Sequence, residues 1–193
     1  MFDLTKTCTF TGHRPNKLYG YSLDNPKYQV LAKHLLKVLR HLVEVEGVRR
    51  FITGGAIGYD TVAFFCVERI KGEYEGIENV LAIPFENQPN LWNEVDKERY
   101  SRMLKLADKL VYVDALSDYK VVEEGIEVGE YSPIKLQKRN EYMVDNSNYM
   151  IALWDGVKSG GTYNCLTYLN KQGHYFKIGI MNPKTLEIEF RNL

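Results

Sequence analysis

Arg50-Phe51-Ile52-Thr53-Gly54-Gly55-Ala56-Ile57-Gly58-Tyr59-Asp60 runs from a short apolar stretch through three glycines toward Val62, Phe65, Cys66, Arg69 and Ile70, which share one side of a helix. Strand, glycine turn and amphipathic helix in that order make the first part of a βαβ unit, the repeating element of a parallel sheet. Glycines at such a turn let backbone N–H groups close on an anion, and the positive end of the helix adds its field. Gly54 and Gly55 allow unusual torsions, Gly58 is expected to permit close helix-to-strand packing, and Asp60 to accept a ribose hydroxyl or cap the helix. The spacing Gly-Gly-x-x-Gly is neither the Gly-x-Gly-x-x-Gly dinucleotide fingerprint nor a phosphate loop ending in Gly-Lys-Ser/Thr. The competing reading is a tight turn with a capping aspartate.

The same alternation continues outward in both directions. Thr7–Thr11 reads as a first strand stopped by Gly12, and Tyr28, Leu31, Leu35, Val38 and Leu42 mark a helix from Pro26 to about Glu46, with the proline in its first turn. Val80–Pro84 and Lys109–Val113 read as strands flanking a helix that carries Trp92, Val95, Arg99, Met103 and Leu106. Residues 114–133 are acidic and aperiodic, which predicts a long connection with at most local turns or a short helix. A helix over 134–146, the strand Tyr149–Trp154, a second glycine loop, a helix through Leu166 and Leu169, a strand at Phe176–Ile180 and an edge strand at Leu186–Phe190 complete the pattern. The expectation is one Rossmann-like α/β domain over residues 1–193, three-layered, with a largely parallel sheet flanked by helices. Right-handed crossovers then gather the loops after the strand C-termini along one edge.

Composition narrows the function classes. Lys+Arg and Asp+Glu both number 25, so no excess of positive charge advertises a dedicated nucleic-acid binder. Cys8, Cys66 and Cys165 are odd in number and far apart, which fits a reducing compartment and neither a disulfide scaffold nor a metal cluster. The opening Met1–Lys6 lacks a basic stretch followed by a long apolar run, and no later segment reaches bilayer length. A cytoplasmic protein with no metal and no membrane contact is expected.

Three further motifs fall at the same predicted edge. Ser159-Gly160-Gly161-Thr162 follows a strand ending in Trp154-Asp155-Gly156, so a phosphate at Gly161 and Thr162 would meet backbone N–H groups beside a carboxylate and an aromatic face. Against this, Thr162 reads as an ordinary N-cap and Trp154 as a core or rim aromatic. In Thr11-Gly12-His13-Arg14-Pro15, Arg14 offers a bidentate clamp for phosphate or carboxylate, and His13 donates or accepts near neutral pH. The helix with Lys135, Lys138, Arg139 and Asn140 offers more anion partners, Arg139 and Asn140 nearest the following strand, most of its charge being read as a solvated face.

Taken in order, Thr11–Pro15, Thr53–Asp60, Arg139-Asn140-Glu141-Tyr142-Met143-Val144-Asp145 and Trp154-Asp155-Gly156 through Gly160-Gly161-Thr162 resemble the DUF1273 group, the YpsA/YoqJ-like proteins of Gram-positive bacteria and their phages, within the SLOG superfamily. The resemblance spans nearly the whole chain. It implies a Rossmann-like domain related to DprA and to the LOG-type phosphoribohydrolases, a homo-oligomer, and a ligand derived from a nucleotide, such as NAD or ADP-ribose. LOG-type enzymes carry Pro-Gly-Gly-x-Gly-Thr-x-x-Glu and an arginine on the preceding helix. Arg139 matches that arginine and is the candidate catalytic residue, but Cys165 stands where the glutamate would lie.

Two main classes follow. In a sensor-type binding module, which the absent glutamate favours, the loops seat phosphate, Asp60 or Asp155 reads ribose, Tyr59 or Trp154 stacks on a base, and occupancy changes association with a protein partner. In an N-glycosidase or phosphoribohydrolase, Arg139 stabilises developing charge and Asp60, Asp155 or Glu86 assists departure of the base or attack of water. Single-stranded DNA binding of the DprA type is a weaker third, against which the balanced charge counts.

Overall fold

A computed structural model of the chain describes residues 3–121, 125–173 and 175–193, and seven strands among them form one sheet. These are β1 (Thr7–Gly12), β2 (Arg50–Thr53), β3 (Glu78–Ile83), β4 (Lys109–Tyr112), β5 (Tyr149–Leu153), β6 (Lys177–Met181) and β7 (Ile188–Asn192). Five α-helices alternate with them: α1 (Pro26–Glu44), α2 (Tyr59–Lys71), α3 (Glu94–Leu106), α4 (Pro133–Asp145) and α5 (Gly161–Leu169). The spatial order is β4-β3-β2-β1-β5-β6-β7, with every pair parallel except β6 and β7. This is the expected Rossmann-like three-layer arrangement.

Side chains of β5 show how the layers are filled. Tyr149, Ile151 and Leu153 join a core with α1 and α2, while Met150 and Ala152 point the other way into a core with α4 and α5. Strands covered on both faces read as continuous apolar runs, which is why β2 and β5 are buried at every residue. Helix α1 starts where Asn25 accepts the Lys27 N–H and Pro26 takes the first turn, and its stripe Tyr28, Leu31, Leu35, Val38, Leu39 and Leu42 is buried.

The chain steps outward from β1 to β4, and α4 then returns it to β5 on the other side of β1. The crossovers therefore diverge between β1 and β5, and in open α/β sheets the crevice beyond the strand C-termini at such a switch is where ligands bind.

Three elements differ from expectation. Helix α3 begins at Glu94, where Asn93 accepts the Asp96 N–H, so Trp92 lies before it, and its buried face is Asp96, Tyr100 and Met103 while Val95 and Leu106 are exposed. The edge strand starts at Ile188 because Leu186 has φ 61° in a turn where Asn182 N donates to Glu187 O and Leu186 N to Asn182 O. Of the 114–133 connection, residues 122–124 lie outside the described residues, and the helical piece among the described ones ahead of α4 is the 3₁₀ turn Val113–Ala115. The connection is nonetheless pinned. Asp114 Oδ2 accepts from Gly129 N (2.7 Å) and Lys135 Nζ (3.1 Å), and Lys135 Nζ also donates to Glu130 O (3.0 Å). Asp114 and Lys135 are both buried, so Lys135 is an internal ion-pair partner and not part of a solvated cationic face. Among the described residues no helix is long and apolar enough to cross a membrane.

Candidate functional site

A cavity of about 340 Å³ opens at the switch between β1 and β5. The turn after β1 contributes Gly12, His13 and Arg14, α4 contributes Arg139 and Asn140, and the second glycine loop contributes Gly160, Gly161 and Thr162. Asp60, from the first turn of α2, completes the part anticipated from sequence. Asn16, Lys17, Leu136 and Met143 also line it and were not anticipated. Lys17 carried a signal, being a cation three residues after Arg14 in the same turn.

The two glycine loops differ in what they offer a ligand. In the first, Asp60 Oδ2 accepts the Ala56 N–H (3.4 Å), Tyr59 N donates to His13 O (3.2 Å), and Gly54 O accepts from Arg139 Nη1 (2.6 Å). The loop meets groups of the protein itself, and Gly54, Gly55 and Gly58 do not line the cavity. A Cβ on Gly54 would lie 1.6 Å from Arg139 Nη1, so the glycine makes room for the guanidinium. Gly58 has φ 95°, and a Cβ there would come within 2.8 Å of His13 O. Its freedom serves the approach of the β1 turn, whereas close strand-to-helix packing falls to Gly12, whose Cβ would lie 2.4 Å from the Tyr59 ring.

In the second loop the N-cap of α5 is Gly160, with no side-chain cap, so Thr162 lies inside the helix and is not its cap. The first helical residue, Gly161, is exposed and has nothing within 4 Å of the position of a Cβ. The first-turn N–H groups of a helix lack intrahelical acceptors, and here they border the cavity.

Cations dominate the walls. Arg139 is only 7 % exposed, and its buried Nε has no hydrogen-bond partner among the described residues. Its Nη1 lies 3.4 Å from Asp60 Oδ2. Burial pushes the Asp60 carboxyl above its usual value, against the pull of Arg139 and Arg14. Burial, and next the charge of Arg139, lowers the Arg14 guanidinium from its ordinary value. The Arg14 side chain has no hydrogen bond or ion pair among the described residues.

Tyr59 is fully buried, with its ring edge-on to Phe10, so it is a core residue and not a stacking platform for a base. Trp154 and Asp155 stand outside the cavity. Trp154 stacks on Tyr163 and donates to Val157 O (3.0 Å). Asp155 Oδ1 lies 3.2 Å from His13 Nε2, an ion-pair distance outside good hydrogen-bond geometry. Burial pushes the Asp155 carboxyl up, but the Val157 N–H and His13 outweigh it and hold the group below its usual value. Glu86 is exposed and lines neither this cavity nor its neighbour. Cys165 is buried in the α4/α5 core, where burial drives its thiol up to about 12, so no acid or thiolate stands at that position. No metal-holding group of His, Cys, Asp or Glu occurs among the described residues.

A family model described as the YspA SLOG family matches residues 8–186. The chain belongs to the YspA SLOG family. Within this SLOG setting it is 45 % identical over 149 residues to the SPbeta prophage-derived protein YoqJ of Bacillus subtilis (strain 168), covering 77 % of this chain and 85 % of that protein. A UPF0398 protein of Halalkalibacterium halodurans is 28 % identical over 184 residues, covering 94 % and 90 %. Among solved structures, DNA processing protein A (DprA) of Streptococcus pneumoniae superposes with a TM-score of 0.57 at 12 % identity, over 96 % of this SLOG chain and 54 % of DprA. At that identity the likeness is one of fold.

Proposed function

We propose that this chain is a sensor-type binding module for a phosphate-bearing, nucleotide-derived ligand of the NAD or ADP-ribose class. One observation carries the reading: buried Arg139, whose Nε has no hydrogen-bond partner among the described residues, Arg14, whose side chain is unpaired among them, and the open first turn of α5 border one cavity at the sheet's switch point. A phosphate there gains charge-assisted hydrogen bonds from fixed donors and the field of a helix N-terminus. Occupancy of the site then changes association with a protein partner, and the module works as a homo-oligomer.

A second reading, N-glycosidase, rests on Asp60, a cavity-lining carboxyl with a raised pKa of the kind that protonates a departing base. Calorimetric titration with NAD, ADP-ribose, AMP and cyclic ADP-ribose, followed by chromatography of each mixture, separates the two. Binding with intact ligand supports the sensor, binding with released base supports the glycosidase, and no binding of any of the four contradicts both. Tight DNA binding with a steep salt dependence would instead favour a role like that named for DNA processing protein A.

A further inference from the structure

A second cavity, of about 570 Å³, begins where the first ends, and Arg14 and Leu136 line both. Its character differs. Phe85, two residues beyond the C-terminus of β3, is buried in one wall, and Trp92 and Tyr131 stand around it. Tyr131 meets Phe85 edge-on, with centroids 5.7 Å apart, and Trp92 meets Tyr100 in the same manner at 5.3 Å. Both rings are held by these contacts, yet Tyr131 remains 65 % exposed. Large aromatic surface left open beside a cationic cavity is a cost in water unless something covers it.

The polar groups point the same way. Gln88 is 7 % exposed, its Nε2 donates to Gly55 O (3.4 Å), its side chain also meets the Tyr100 phenol, and its buried Oε1 has no hydrogen-bond partner among the described residues. Asn87 adds a second carboxamide to the wall. Carboxamides present a donor and an acceptor side by side, the pattern that matches the edge of a nucleobase. Tyr131 is also pre-positioned. Its segment is fixed by the bond from Asn87 N to Gly129 O (2.8 Å) and by the buried Lys135–Asp114 pair, so little ordering entropy opposes stacking on it.

We infer that the second cavity holds the base of the ligand, stacked on Tyr131 or Trp92, while Arg14 spans the two cavities on the phosphate side. The inference rests on the phosphate site and nucleotide reading proposed above and adds where the base is held, so that the ligand is selected by its ring as well as by its charge. The base then sits on the β3 side of the crevice, away from Trp154.

Ribose 5-phosphate and the 5′-monophosphates of adenosine, guanosine, uridine and cytidine differ by the base alone. Calorimetry is run with all five against the wild-type chain and Tyr131→Ala, a change at an exposed side chain. The expected result is that at least one nucleotide binds about tenfold more tightly than ribose 5-phosphate, as a single base stack supplies. Tyr131→Ala removes most of that advantage and leaves ribose 5-phosphate unchanged. In a Trp154→Phe background, where Trp92 is the remaining tryptophan, the preferred nucleotide also quenches fluorescence and ribose 5-phosphate does not. If ribose 5-phosphate binds but no nucleotide exceeds it, or if the advantage survives in Tyr131→Ala with Trp92 unquenched, the base site is wrong and the phosphate site stands. If none of the five binds, the base site is wrong, and ADP-ribose run alongside decides the phosphate site, which stands if it binds and falls if it does not.

Discussion

Arg139 Nη1 reaches 2.6 Å from the Gly54 carbonyl oxygen through space that a side chain at position 54 would fill, since a Cβ there would lie 1.6 Å from the same nitrogen. Two residues 85 apart in sequence thus fix one another. The glycine of the first loop admits the cation, and the loop carbonyl holds that cation against the cavity.

Gly54→Ala should therefore move Arg139. The expected cost is about 1–3 kcal/mol of stability, the usual range for overpacking, together with at least tenfold weaker nucleotide binding. Urea denaturation and calorimetry on the same variant check both. Unchanged binding would mean that the position of Arg139 does not matter to the ligand.

Arg139→Met leaves Asp60 buried without its cation, at an expected loss of about 3–5 kcal/mol. In Asp60→Asn/Arg139→Met the stranded carboxylate is gone, so the double variant should be more stable than Arg139→Met alone. A double-mutant cycle by denaturant unfolding measures this coupling, and additive losses would contradict it.

The raised pKa of Asp60 gives an acid-side signature. The native state binds this proton more tightly than the unfolded chain, whose ordinary value is 3.8. The stability of the wild type relative to Asp60→Asn is then highest below that value and falls as pH rises through the folded pKa. Urea midpoints of both proteins, from below the ordinary carboxyl value of 3.8 up to neutral pH, give the test. A relative stability that climbs with pH would mean that Arg139 outweighs burial.

Tyr59→Phe should leave ligand affinity unchanged, because the ring is inside the core and its hydroxyl makes only a 3.5 Å contact with Ile151 O. Stability should fall by no more than about 1 kcal/mol, the worth of an ordinary hydrogen bond. A specific loss of binding, measured by calorimetry, would return Tyr59 to the site.

The sheet and its helices were legible because β1, β2, β3 and β5 are short apolar runs closed by Gly, Pro or a glycine loop, and because α1 carries both a periodic stripe and its start signals. The edge that gathers the loops followed from handedness alone. The inward turn of Tyr59 was also encoded, since it precedes Val62 by three residues and extends the stripe through Cys66. Other features had no local signal. Lys135 looks like any helical lysine until Asp114, 21 residues earlier, is brought beneath it. Occupation of the first glycine loop by Asp60 and Arg139 needs the α4 crossover to be in place. Gln88 and Tyr131 lie on irregular segments where no period marks a wall, and Trp92, whose spacing to Val95 and Arg99 reads as helical, stands just before the N-cap Asn93.

The most direct test of the phosphate site is calorimetric titration of ADP-ribose into the wild-type chain and into Gly161→Leu. Position 161 is open, so the leucine leaves the fold intact while covering the first turn of α5. Saturable binding to the wild type that is lost in Gly161→Leu, with the urea midpoint unchanged, is the predicted result; equal affinity in the two proteins would contradict it.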